Sequence, residues 1–274
     1  MFQLSKVAVL LSLLAVPFVA AQATEASIAN IEAHFEQSHI TEDYLREFDP
    51  SALLTLNYEG VGEITPGQSL AAAQVGPTPA VTITPAEGET LNGTFTIAMI
   101  DVDVVGADLA AGVTRHWLVN GATLQNNVVS LEGATVITPY GGPGPAAGSG
   151  AHRYIVALYE QPAEFAAPEG FTGPLPIAAM DWLAYVEASN LGDLVAANYI
   201  NVEEGTYTGT AIPTSPVVAP TAGAPGASNS AGAPRPSSNP SGSSVVDTPR
   251  PTSGASKLAV PAAALLGAAA FLAL

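Results

Sequence analysis

The 274 residues carry 24 acidic and 7 basic side chains, four histidines and no cysteine. That balance excludes a disulfide framework and thiol chemistry, and its negative field repels nucleic acid and anionic membrane surfaces. No internal repeat is visible.

Lys6, an apolar run over 7–19 and the small residues Val19, Ala20 and Ala21 predict a signal peptide, 1–21, cleaved before Gln22. The run is shorter than the roughly 20 residues a membrane span needs. Residues 22–211 are long enough for one domain with a sizeable core. Inside it 23 acidic residues face three basic ones, Arg46, Arg115 and Arg153, for a formal −20. A phosphate bound there must be held by local donors, because the overall field opposes it. Helical spacing predicts helices over 24–34, over 41–48 with Thr41 as N-cap, and over 177–189. Strands are predicted over 53–58, 80–84, 93–100, 116–119, 128–131 and 154–159. Gly/Pro turns between them indicate packed antiparallel sheets rather than βαβ units. Asn92-Gly93-Thr94 is an N-glycosylation sequon, which belongs on a loop of a secreted chain.

Beyond the domain, 212–257 is rich in Pro, Ser, Gly, Ala and Thr and has no aromatic residue. Such a stretch cannot bury enough apolar surface to offset its ordering entropy, and it predicts a disordered stalk. Residues 258–274 are apolar to the last position, the pattern of a GPI signal. Gly242, Ser243 and Ser244 leave a spacer near the ~8–12 residues such a signal uses and are the candidate attachment site. The chain is therefore expected to be extracellular, at the cell surface, and to meet a membrane or wall only through a GPI anchor.

Residues 98–159 concentrate the polar chemistry. Asp101 and Asp103 stand two apart at the end of an apolar strand, so both carboxylates face one side. His116 precedes Trp117-Leu118-Val119, and His152 and Tyr154 alternate onto one face while Arg153 takes the other. Each has a plainer reading: a solvated hairpin end for the aspartates, a satisfied core histidine for His116, a mobile loop for the glycines between Gly141 and Gly150. Two aspartates and two histidines would also suit a metal hydrolase, or would serve Ser149 as a nucleophile. Neither H-E-x-x-H nor a nucleophile-elbow spacing is present, so catalysis is not the expectation.

Three blocks occur together and in order: the D-x-D segment, the H-W-L-V strand at His116, and Gly144-Pro145-Ala146-Ala147-Gly148-Ser149-Gly150-Ala151-His152-Arg153-Tyr154. Together they resemble the phosphatidylethanolamine-binding protein family. Asp49-Pro50-Ser51, Gly67-Gln68-Ser69-Leu70 and Asn190-Leu191-Gly192-Asp193 resemble its opening and closing segments, so the likeness covers most of 22–202. It implies a mainly β fold, an antiparallel β-sandwich with a large central sheet and a few peripheral helices. It also implies a small pocket formed by Asp101, Asp103, His116, His152 and Tyr154, with loop amides of Gly142 and Gly144 on the anion and Tyr140 as a wall. Two departures stand out. The family's D-P-D-x-P is Asp101-Val102-Asp103-Val104-Val105 here, implying a looser or reshaped rim, and Ala110-Ala111-Gly112 replaces a pocket tyrosine.

The expected function is a binding module for a small anionic or phosphate-bearing ligand such as a phospholipid headgroup, with no cofactor and no metal. The alternative is a protease-inhibitor type of regulator with a protease as partner, and the third is a hydrolase using the Asp/His cluster.

Overall fold

The computed structural model describes residues 21–214 and Val217. The signal peptide, most of the stalk, the tail and the attachment candidates Gly242, Ser243 and Ser244 lie outside the described residues.

The strands are β1 (Ala52–Tyr58), β2 (Gly62–Glu63), β3 (Gln68–Leu70), β4 (Ala80–Pro85), β5 (Thr94–Asp101), β6 (Val113–Gln125), β7 (Val128–Ser130), β8 (Thr135–Thr138), β9 (His152–Gln161), β10 (Ala178–Met180) and β11 (Leu194–Val202). The hydrogen-bonded order is β2-β1-β4-β7-β6-β5-β9-β11-β3, with β8 and β10 also on β6. β6 belongs to two layers. Its Thr114–Ala122 part pairs with β5 in the large sheet, and its end pairs Gln125 with Val128 of β7 in the smaller one. The hairpin joining β6 to β7 is closed by Asn126 and Asn127, at φ 52° and 67°, as a two-residue turn requires. Among the described strands all pairings are antiparallel except β3 with β11, a parallel edge that makes the sheet mixed.

Alternation along β5, β9 and β11 divides the interior. Phe95, Ile97, Met99, Tyr154, Val156, Leu158 and Ile200 face β1 and β4, filling the space between the sheets. Their neighbours Ala98, Ile100, Ile155, Ala157, Ala197 and Tyr199 face the opposite way, under the helices. That second face is covered by Ile31 and Phe35 of α1 (Glu25–Gln37) and by Trp182 and Tyr185 of α2 (Trp182–Ala188). α1 starts at Thr24, whose side chain accepts from the Ser27 amide at 3.2 Å, and α2 starts at Asp181, which accepts from Ala184 at 3.0 Å.

Two helix predictions require correction. Residues 41–48 do not form a capped α-helix. Thr41–Leu45 is a five-residue π-helical turn after an uncapped Ile40, and Arg46 ends it at φ 59°. The wider turn accompanies two inward commitments: Tyr44 is buried and Asp43 reaches Arg153 at 2.8 Å. The helix predicted over 177–189 is shorter because Ala178–Met180 pairs with Arg115–Val113 of β6, and the helix begins only after the Asp181 cap.

Candidate functional site

The site lies where the end of β5 meets the starts of β6 and β9. Asp101 stands opposite both Thr114 and Tyr154 in the two ladders. On β6 the register skips a residue, with Met99 opposite Trp117 and Ile100 opposite Arg115, so His116 is the extra residue of a β-bulge. Such a bulge re-aims a side chain. His116 meets the Tyr154 ring edge-on at 5.2 Å, and its Nδ1 lies 3.0 Å from the Gly141 carbonyl.

His152 is the centre of the cluster. Its Nδ1 lies 3.0 Å from Asp101 Oδ2, and its Nε2 lies 3.5 Å from Asp103 Oδ1 and 2.9 Å from Ser149 Oγ. Burial alone would lower its pKa. The hydrogen bond and charge of Asp101, then the charge of Asp103, outweigh burial and the opposing Arg153, so the imidazole stays protonated above its ordinary range. Tyr154 is fully buried and its hydroxyl has no hydrogen-bond partner among the described residues. Burial first, then the Asp101 charge, holds this phenol far above its usual range despite the approach of the Gly144 amide.

The turn that lacks the family's prolines is held by hydrogen bonds on both sides. Asp101 Oδ1 accepts the Asp103 amide at 2.8 Å, and Asp103 adopts φ 60°. From the other side of β9, the Arg153 guanidinium donates to the carbonyls of Val102, Asp103 and Val104 and to that of Ser38, and pairs with Asp43. An arginine buried behind the turn therefore ties three of its carbonyls together.

The other expected residues divide. Tyr140 is committed: its hydroxyl donates to the Val75 carbonyl at 2.7 Å and lies 3.2 Å from that of Tyr58, while its ring packs edge-on against Trp117. It braces the wall from within the core. A Cβ on Gly142 would meet Gly76 Cα and Val75 O at 2.8 Å, so glycine is required there by close backbone packing. A Cβ on Gly144 would meet nothing within 4 Å. Neither the Gly142 nor the Gly150 amide donates to an acceptor among the described residues. Gly112, where a pocket tyrosine was missing, lies against the Met180 carbonyl. Asn92 is exposed ahead of β5. Among the described residues no group of three or more His, Asp or Glu side chains is arranged to hold a metal ion. Ser149, though weighed in the sequence, gave no signal of its contact with His152, which the loop alone creates.

A cavity of about 390 Å³ opens on the Arg153 side, lined by Val104, Tyr199, Ile212 and Val217 among others. It is distinct from the His152 cluster, and Arg153 already serves five oxygens there.

The phosphatidylethanolamine-binding protein family model matches residues 59–200. The chain belongs to this family. The CEN-like protein 1 of Nicotiana tabacum is 30% identical over 163 residues, covering 58% of this chain and 85% of that protein. A 26 kDa secreted antigen of Toxocara canis is 30% identical over 120 residues, 43% of each chain. Among solved structures, a carboxypeptidase Y inhibitor in complex with its cognate proteinase superposes with a TM-score of 0.53 at 23% identity, covering 64% of this chain and 95% of the inhibitor. That likeness establishes the shared fold, a mostly β phosphatidylethanolamine-binding protein architecture with few helices.

Proposed function

We propose that this phosphatidylethanolamine-binding protein holds a small phosphate-bearing or otherwise anionic group at the His152 cluster. The observation that carries the reading is His152 bonded through Nδ1 to Asp101, which favours a cationic ring with Nε2 directed to the loop side. The unpartnered Tyr154 hydroxyl and the Gly142 and Gly150 amides add donors that need no compensating charge. Asp101 and Asp103 keep the ring charged, and they also suit a ligand that pairs its phosphate with an ammonium, as a phosphoethanolamine headgroup does.

Calorimetric titration of phosphoethanolamine and of inorganic phosphate against wild type, His152→Ala and the exposed control Glu187→Gln tests this. His152→Ala is expected to lose about 1.5–3 kcal/mol, the scale of a hydrogen bond to a charged group, with the control unchanged. Equal affinity of wild type and His152→Ala at pH 5.5 removes the histidine from the site. The protease-inhibitor alternative has only the fold likeness behind it, and a carboxypeptidase inhibition assay on the same preparations separates it.

The reading places the domain outside the cell on a GPI anchor. Its supports are the N-terminal run, the apolar C-terminal run and the exposed Asn92, along with a relative described as a secreted antigen.

A further inference from the structure

Ser149 sits between two glycines of positive φ, Gly148 at 80° and Gly150 at 104°, in the turn just before β9. The turn is anchored by the Gly148 amide on the Glu204 carbonyl at 2.7 Å and by the Ser149 amide on the Ala146 carbonyl at 3.0 Å. It presents the hydroxyl to the imidazole: Ser149 Oγ lies 2.9 Å from His152 Nε2, and the other ring nitrogen lies 3.0 Å from Asp101 Oδ2. Hydroxyl, imidazole and carboxylate therefore stand in series, each within hydrogen-bond reach of the next, with the carboxylate fixing the ring. That is the geometry by which a serine becomes a nucleophile, whatever the chain order of its members.

We propose that Ser149 is a nucleophile activated by the His152–Asp101 pair and takes up the acyl group of a neutral carboxylic ester. This goes beyond anion binding. It borrows His152 Nε2 and Asp101 from that site but uses the ring in the opposite protonation state.

With His152 neutral, Nδ1–H donates to Asp101 and the Nε2 lone pair accepts the Ser149 proton. Oγ then bonds to the ester carbonyl carbon while its proton passes to Nε2. Collapse breaks the bond to the alcohol oxygen, which leaves with the proton from Nε2, and water repeats the exchange to release the acid and restore Ser149. The carbonyl oxygen, negative in the intermediate, requires a donor. The amide of Gly150, the residue following the nucleophile, has no acceptor among the described residues and is the donor this step assigns to that oxygen. Asp103, 3.5 Å from Nε2, repels an anionic ester, hence the choice of a neutral one. With His152 cationic, Nε2–H donates to Ser149 instead, the hydroxyl turns its proton to the Ala146 carbonyl 2.6 Å away, and nucleophilicity is lost. The groups acting on His152 are Asp101 at the end of β5 and Asp103 just beyond it, Tyr154 on the same face of β9, the charge of Arg153 from the opposite face, and His116 on β6 through the Tyr154 ring.

The test is covalent labelling by a neutral fluorophosphonate, read by intact mass and peptide mapping, together with p-nitrophenyl acetate turnover from pH 5 to 9. Wild type is expected to gain one adduct on the peptide holding Ser149, at a rate that climbs as His152 loses its proton. His152→Gln should be slower by about 100-fold or more, the span of general-base assistance. Asp101→Asn should move the pH profile to lower pH. Ser149→Ala should show no adduct. Failure of wild type to label at pH 9, an adduct on another residue, or an unchanged rate in His152→Gln overturns the inference. Phosphate titration of the same wild-type sample is independent of labelling, so loss of one reading leaves the other intact.

Discussion

Arg153 donates twice to the Asp103 carbonyl, from its backbone amide and from Nε, each at 3.1 Å. His152, one residue earlier and on the other face, meets the Asp101 and Asp103 carboxylates. One short turn is thus gripped by its carbonyls from behind and used through its carboxylates in front. The stability of the turn and the chemistry of the site are coupled through adjacent residues of β9.

Arg153→Met should therefore cost more than an ion pair. It leaves Asp43 uncompensated in a part-buried position and removes the guanidinium donors from the carbonyls of Ser38, Val102 and Val104. Urea denaturation is expected to give a loss of about 3–5 kcal/mol, the range for breaking a buried pair from one side. Phosphate affinity should fall with it, even though Arg153 never faces the ligand. A variant with wild-type affinity would show that the turn holds itself.

The His152 titration, followed by NMR, is expected to have its midpoint above ~6.5, the unperturbed value. Asp101→Asn should bring it down, since the hydrogen bond and charge of Asp101 are the main terms raising it. The sign for stability follows from linkage: a pKa raised on folding contributes stability that is complete below the unfolded value and lost as pH rises through the folded one. Wild type should accordingly lose stability relative to His152→Ala as pH rises from 6 toward 8. A difference that stays flat across that range would contradict the assignment.

Gly142→Ala and Gly144→Ala should behave differently although the two glycines are two residues apart. The first places Cβ 2.8 Å from backbone atoms of Val75 and Gly76, which must move, and the second enters open space. Thermal unfolding should report about 1–3 kcal/mol for Gly142→Ala, the cost of overpacking, and little for Gly144→Ala. If Gly144→Ala weakens phosphate binding without lowering stability, the open space at Gly144 is where the ligand sits.

Processing can be read by mass spectrometry of the surface protein. The mature chain is expected to begin near Gln22 and to lack 258–274, and a phosphatidylinositol-specific phospholipase should release it from a membrane. Peptides from 268–274 in the mature protein would point instead to a retained hydrophobic tail.

What the sequence determined by itself is local. Period-two alternation put His152 and Tyr154 on one face with Arg153 on the other, and Asp101 beside Asp103, whereas the meeting of these two sets was implied only by the family resemblance. Glycines that could tolerate positive φ marked the loop, and Thr24 marked the start of α1. Tertiary structure decided what depends on partners remote in sequence. His116 turns toward Tyr154 only because β6 carries an extra residue against β5, and periodicity cannot register a bulge that exists only in a pairing. Arg153 reaches the Ser38 carbonyl 115 residues away and the Asp43 carboxylate, partners that no local pattern announces. Tyr140, placed in the pocket by its position in the motif, is drawn into the core by Tyr58 and Val75. The parallel edge of β3 on β11 likewise follows from packing. Each is a choice among hydrogen-bond partners of similar local cost, and burial in the assembled fold, where an unpaired polar group is expensive, selects between them.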